Sequence, residues 1–492
     1  MFLNRLFKRI FPAFCFFALL SFDSIAQKDI LQQILHDTAD FYYVNAKIYP
    51  VGNASLPIGV FDSGTGGLTV LNGIINYDAH QNGTRQNGAD GIPDFQTEDF
   101  IYLADQANMP YGNYAGVGKL DLLREHIIKD AQFMLSNKYY GAAAEPKTDK
   151  KPVKVIVVAC NTATAYGIEQ IRDLLKKAGL NIPVVGVIDA GSEGALQTFK
   201  KNESGTIGIF ATAGTVASKG YVNTLNRLRK EMGYTGDIQY VSQGGVGVAE
   251  AVDEEPNYLD RKQTAPRANY KGPNVTGTDL AIDRALMDIY NFDFSANKML
   301  CDAAKTDDCS QLQINSADNY VRYHLVSLLE KMRATPGTKP LKTLILGCTH
   351  YPYLTDNIQK VLEELYNYKK GRKYRYRHLL VKKVQLVDPS VNTAQELYEV
   401  MQQQNLFNGA GNLTNSKFYI SVPNREIPGV QTDAAGRFTY DYKYGRNAGT
   451  GSQFIKNMPF SQQNIPIDVE DRLRKQIPKV YALIEYFEEK NK

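Results

Sequence analysis

A chain of 492 residues that is 43% apolar and 22% charged is long enough for two or three packed domains. Such a composition excludes a fibrous, collagen-like or globally disordered protein. The formal net charge is +4, and removal of a leader carrying Arg5, Lys8, Arg9 and Asp23 leaves about +2, which excludes a globally basic nucleic-acid binder.

Residues 1–26 read as a secretory signal. Arg5, Lys8 and Arg9 form a basic start, residues 10–22 an apolar run, and Ser24-Ile25-Ala26 a small-residue cleavage site. The alternative is a retained N-terminal membrane anchor, but the run is shorter than the ~20 residues a spanning helix needs. Cys15 is followed by Phe16, Phe17 and Ala18, which does not suit a lipid-attachment cysteine. Four cysteines then remain: Cys160, Cys301, Cys309 and Cys348. Export to the periplasm would place them where disulfides persist.

After an N-terminal extension (27–56), Ile58-Gly59-Val60-Phe61 is a short apolar strand entering Asp62-Ser63-Gly64-Thr65-Gly66. Residues 81–96 form a Gly/Asn/Asp-rich loop and 142–152 a polar linker. Residues 155–158 are a buried-type strand leading to Cys160-Asn161-Thr162, and 168–180 have helical spacing. Ile207-Gly208-Ile209-Phe210 enters a second Gly/Thr loop, Ala211 to Thr215, and 221–232 again have helical spacing. A polar insert (254–273) leads to a predicted helix over 279–291. Cys301 and Cys309 bracket a polar loop; whether they are bridged or free is open from spacing alone. Residues 343–346 form a strand ending in Gly347-Cys348-Thr349-His350. Residues 369–383 carry eight Lys/Arg and no acid, read as a charged connection, while 406–460 are Gly/Asn-rich with a strand at 418–422. Residues 469–487 have helical spacing interrupted by Pro478.

The segments at 58–66 and 207–215 echo one another, as do those at 155–162 and 343–350. Continuous Val/Ile/Leu runs separated by helices indicate parallel α/β construction, in which ligands collect beyond the carboxyl ends of strands. The fold class is therefore α/β, with two pseudo-symmetric parallel-sheet domains, a cleft between them and large insertions. Each half delivers one cysteine to the cleft. Two thiols on opposite walls suit a reaction that removes a proton from one face of a carbon and returns one to the other, because a thiol titrates within reach of neutral pH. Asp62 can assist the first thiol and His350 the second. Asn161, Thr162 and Thr349 offer neutral donors for a carboxylate, and the Gly64 to Gly67 loop lets backbone N–H groups approach a substrate.

With these motifs the chain resembles glutamate racemase, within the aspartate/glutamate racemase superfamily. The matching stretches are Ile58-Gly-Val-Phe-Asp-Ser-Gly-Thr-Gly-Gly-Leu-Thr-Val70, Tyr102-Leu-Ala-Asp105 with Pro110-Tyr-Gly112, Ala159-Cys-Asn-Thr-Ala-Thr164, Val184-Val-Gly-Val187, residues 207–218, and Ile345-Leu-Gly-Cys-Thr-His-Tyr-Pro352. The resemblance implies a racemase that needs no cofactor, pyridoxal phosphate included, with Cys160 and Cys348 as opposed bases and Asp62 and His350 as their assistants. It implies substrate contacts from Ser63, Tyr111, Gly112, Asn161, Thr162, Thr215 and Thr349, and Glu250 as a further assistant. The segment before Glu250, Val241-Ser-Gln-Gly-Gly-Val-Gly-Val248, departs from the family's usual Cys-Pro pattern. Usual members are cytoplasmic and about half this length.

The expected organisation is a leader (1–26), an extension (27–56), a first α/β domain (57–200) completed by part of 380–405, a second (201–379) with an insertion at about 254–335, and a C-terminal extension (406–492). The expected partner is a small acidic amino acid, glutamate first. Nucleic acid and, after leader removal, a transmembrane segment are not expected; a homodimer is allowed. No metal is expected: no second Cys/His pair completes a zinc set with Cys348 and His350, and residues 87–94 lack the alternating acids of an EF-hand. The competing readings are an aspartate or other acidic amino-acid racemase, and a non-catalytic periplasmic ligand-binding or thiol-redox protein.

Overall fold

The computed structural model describes residues 30–141, 145–276, 280–465 and 467–491. The expected leader, with Cys15, lies outside them. Two sheets carry the fold. The first contains β1 (Ile58–Asp62), β2 (Phe100–Ala104), β3 (Val155–Val158) and β4 (Val184–Gly186), mutually parallel in the order β2-β1-β3-β4. Every residue of β1, β2 and β3 is buried. Helices therefore cover both faces, which is why these strands are uninterrupted apolar runs rather than alternating ones.

The second sheet holds β5 (Gly205–Ala211), β6 (Ile238–Gly244), β7 (Leu341–Gly347) and β8 (Leu380–Val387), all parallel in the order β8-β7-β5-β6. The echoed segments are β1 and β3 in one half and β5 and β7 in the other, and within each half they are hydrogen-bonded neighbours. The duplication seen in the sequence is thus a duplication of the strand pair at the middle of each set of four parallel strands.

Helices begin where those strands end. Helix α1 (Leu68–Ile75) follows the glycine loop after β1. Helix α2 (Asn161–Ala178) starts directly after Cys160, whose sulfur accepts a hydrogen bond from the Ala163 N–H at 3.4 Å and so caps it. It stops at Gly179, whose φ of 69° is the left-handed conformation that favours glycine. Helix α3 (Ala317–Ala334) packs its Leu325, Leu328 and Leu329 into the core of the second half.

The additions divide into decoration and structure. Residues 280–314 hold short helical turns, among them Arg284–Leu286 and Met287–Tyr290, in place of a continuous helix, then a hairpin whose loop is closed by a Cys301–Cys309 disulfide. The basic run opens as an exposed hairpin (Lys369–Lys370, Lys373–Tyr374), after which Arg375 binds Glu330 at 2.9 Å and Arg377 stacks on Tyr374. Strand β8 belongs to the second sheet, so of residues 380–405 it is helix α4 (Pro389–Gln403) that joins the first half, its Ala394, Leu397 and Met401 lying in that core.

The C-terminal extension is part of the first domain's framework. Strand β9 (Lys417–Pro423) adds parallel to β2, and β10 (Ile455–Pro459) adds antiparallel to β9, giving six strands. Ser421 Oγ accepts from the Ala107 N–H at 2.9 Å and donates to Asp105 at 2.7 Å. Buried Glu98 accepts from the Asn408 N–H and from Lys154, each at 2.6 Å; burial raises its pKa to about 7 against the pull of Lys154. Pro478 divides the last helical stretch into α5 (Ile467–Gln476) and α6 (Pro478–Asn491), because proline fits the first turn of a helix and not its interior. Among the described residues no helix is long and apolar enough to cross a membrane.

Candidate active site

Four strand ends meet where the two sheets face each other. Asp62 closes β1, Cys160 lies just beyond β3, Thr212 just beyond β5, and Cys348 just beyond β7. Both cysteines are free thiols, and each is only 5% exposed. The loop after β1 joins them. Ser63 Oγ accepts from the Cys160 thiol at 3.7 Å, while Asp62, its chain neighbour, lies 3.4 Å from the Thr349 hydroxyl next to Cys348. Thr69 Oγ1 donates to the Gly66 carbonyl at 2.9 Å and lies 3.2 Å from the Thr349 carbonyl.

The surroundings of the two sulfurs differ. Burial first, then the charge of Asp62, pushes the Cys160 thiol up from its ordinary value, which keeps it protonated. Cys348 Sγ lies 3.6 Å from His350 Nδ1, and His350 Nε2 is 3.1 Å from Asp253 Oδ2. Burial opposes the imidazolium, but Asp253 and then Cys348 together outweigh it and hold His350 well above the usual histidine range. Burial alone would raise Asp253; His350 and Arg472 together hold it well below the usual carboxylate range. One wall therefore carries a neutral thiol and the other a sulfur beside a charged imidazole.

Asp62 accepts hydrogen bonds from the N–H groups of Gly64 (3.2 Å) and Gly67 (2.8 Å), tying the loop that leads into α1. Burial raises its pKa, with His350 and those N–H groups pulling the other way. Gly66 faces the second half so closely that a Cβ there would sit 2.6 Å from Thr349 Oγ1 and 2.7 Å from His350 Cε1. Gly66→Ala is expected to lower unfolding free energy by about 1–3 kcal/mol through overpacking, read by urea denaturation.

The remaining predicted residues lie around this interface and bond mainly to one another. Thr162 Oγ1 is 2.9 Å from Thr212 Oγ1 and 3.1 Å from Thr215 Oγ1, joining the halves. Asn161 Oδ1 accepts from the Tyr221 hydroxyl at 2.5 Å. Gly112 packs on Thr212. The Tyr111 hydroxyl lies 2.5 Å from Asp105 and 2.7 Å from Asp130, with burial and then Asp105 raising Asp130 well above its usual value. A phenol has one hydrogen, so the second contact needs a protonated carboxyl. Glu250 accepts from the Gly247 N–H at 3.0 Å, and burial raises it to about 7.

Asp253, Tyr221 and Arg472 carry no mark of function in the local sequence. Asp253 and Glu250 are three apart at the short helix Val248–Val252, and that spacing puts acids on one face. Tyr221 opens a helix that reads as ordinary amphipathic spacing. Arg472 is one cation among several charged residues of α5, and no local pattern distinguishes it. Among the described residues one group of three metal-type ligands lies close together, Cys301, Asp302 and Cys309, and its two sulfurs are bonded to each other. A cavity of about 810 Å³ opens behind the site along Thr69, Pro352 and Tyr353; the cysteines do not line it.

No protein-family model matches the chain. It is 26% identical over 363 residues to the glutamate racemase of Levilactobacillus brevis, across 74% of this chain and 85% of that relative. It is 25% identical over 371 residues to the glutamate racemase of Stutzerimonas stutzeri, across 75% of this chain and 90% of that relative. The chain is a distant member of the aspartate/glutamate racemase superfamily. Among solved structures, the glutamate racemase isoform RacE1 from Bacillus anthracis aligns with 74% of this superfamily member and 88% of its own chain, at 22% identity and a TM-score of 0.42. This member departs from a plain duplicated core through β9, β10 and the helices that follow.

Proposed function

We propose that this protein is an exported, cofactor-independent racemase that interconverts the L and D forms of a free acidic amino acid, glutamate first. The observation that carries the reading is the pair of buried free thiols, one from each half, with unlike surroundings at one interface.

A racemase needs one group able to accept the α-proton and another able to donate on the opposite face. In one direction the Cys348 sulfur, as thiolate beside the His350 imidazolium, takes the proton from Cα, and the bonding pair stays on carbon. The Cys160 S–H then gives its proton to the other face. The product leaves Cys348 as thiol and Cys160 as thiolate, the state that receives the mirror form. Asn161, Thr162, Thr215 and Thr349 supply donors for the substrate carboxylates once the threonine contacts across the interface part. Glutamate is the first choice because the relatives matched over most of their length are glutamate racemases.

Export is supported by the basic, apolar and small-residue order of residues 1–26 and by the Cys301–Cys309 disulfide, which suits an oxidising compartment. Deep burial protects the two working thiols there. Under reducing conditions in deuterated water, the purified protein is expected to invert L- and D-glutamate with deuterium entering at Cα, read by NMR and chiral chromatography. Absence of exchange with glutamate, aspartate and close analogues overturns the enzymatic reading; exchange with aspartate alone reassigns the substrate.

A further inference from the structure

Helix α5 belongs to the C-terminal extension, outside the duplicated halves, yet its Arg472 reaches the cleft. One guanidinium nitrogen, Nη2, donates to Asp253 Oδ1 at 2.8 Å and to Thr65 Oγ1 at 3.4 Å. The other, Nη1, donates to the Val252 carbonyl, and the group lies over the Tyr353 ring at 4.9 Å. Thr65 is in the glycine loop of the first half, whereas Val252, Asp253 and Tyr353 come from the second, so a single side chain spans the interface. The neighbouring Leu473 is fully buried, which fixes where α5 sits.

The two carboxylate oxygens of Asp253 are divided between tasks. Oδ1 faces Arg472, while Oδ2 faces His350 Nε2 at 3.1 Å and Gln106 Nε2 at 3.5 Å. His350 in turn presents Nδ1 to Cys348. The order is Arg472, Asp253, His350, Cys348, with Asp253 almost completely enclosed. A carboxylate held at one oxygen can still rotate. A planar guanidinium anchored to the adjacent carbonyl as well as to the carboxylate removes that freedom, and lysine, with a single point of charge, cannot do the same.

We propose that Arg472 is a positioning residue of the proton-transfer site: by clamping Asp253 it sets the orientation in which His350 serves Cys348. The role rests on the racemase reading for its catalytic consequence, and on geometry alone for the clamp. It gives the C-terminal extension a purpose at the site, because α5 is held over the cleft by the same segment that adds β9 and β10 to the first sheet.

The clamp and the activity are tested separately on the mature full-length chain. Stability by urea denaturation is measured for Arg472→Ala, His350→Gln and the double variant. If Arg472 acts through Asp253 on His350, the double variant's loss in folding equilibrium constant departs from the product of the single losses by about threefold or more. Agreement within about twofold overturns the clamp, whether or not the protein is a racemase. Arg472→Lys replaces Arg472→Ala in the same cycle if the alanine variant does not fold. In turnover, Arg472→Ala is expected to lower kcat about 10- to 100-fold with KM changed less than about twofold, as for other residues that orient a working group. Arg472→Lys is expected to fall between it and the wild type, added guanidinium to restore part of the alanine variant's rate, and exposed Lys475→Ala to leave the rate unchanged. A wild-type kcat in Arg472→Lys, or a loss in Arg472→Ala that only follows its folded fraction, overturns the positioning role. A wild-type protein without α-hydrogen exchange overturns the racemase reading instead, and the stability cycle still decides the clamp.

Discussion

Cys160→Ser and Cys348→Ser are each expected to lower racemisation by about 10²- to 10⁴-fold, the contribution of a positioned acid or base, with the fold retained. Serine is close in size to cysteine, and at position 160 its hydroxyl keeps the partners that the thiol has, Ser63 Oγ and the Ala163 N–H. The acid strength does not survive, because a hydroxyl gives up its proton far less readily than a thiol. The two variants are not equivalent. Each retains the sulfur on one wall, so each still removes the α-proton from the enantiomer that presents its hydrogen to that wall. Residual deuterium exchange measured separately on the L and D substrates should therefore reverse its preference between the variants. Equal inversion in both variants and the wild type would remove the cysteines from the mechanism.

Asp253→Asn is expected to destabilise the protein by about 3–5 kcal/mol, the cost of breaking one side of a buried charge cluster. The asparagine keeps the shape but leaves His350 and Arg472 facing each other across a neutral group. Denaturant melts at several pH values give the signature. His350 has its folded pKa raised, so its contribution is complete below the unfolded imidazole value of about 6.5 and fades as pH rises through the folded value. Asp253 has its folded pKa lowered, so its contribution is complete above the unfolded carboxylate value of about 3.9 and fades as pH falls through the folded value. The difference between wild type and variant is therefore largest between about pH 4 and pH 6.5. A difference that does not change with pH would show that Asp253 matters through packing alone. The same variant frees His350 from its anchor, and racemisation should fall with it.

The cysteines lie just beyond strand ends and Asp253 just beyond a short helix, and their legibility in the sequence is unequal. Cys160 and Cys348 stood out because each closes a Val/Ile/Leu run and is followed by small polar residues, a local pattern that repeats. His350 was visible for the same reason, two residues from Cys348. Asp253 was not, since nothing near it in the chain announces a histidine almost a hundred residues away. The predicted helix over 279–291 gave way to short helical turns in its described part, with Ala281 bridged to Asn274 before them and Asn291 in the left-handed conformation ending them. The basic run reads as a charged connection, and in the structure Arg375 lies on Glu330 and Arg377 on tyrosine rings.

What the amino-acid order determined by itself was the repeated strand pair, the fold class and the two cysteines, because parallel buried strands and the turns after them are written in contiguous residues. Helix α5 over the cleft, two added strands on the first sheet and the placing of Arg472 beside Asp253 were decided by tertiary structure. These depend on which buried faces meet after the chain has closed, and a carboxylate cannot announce its partner until burial removes water as the competing one.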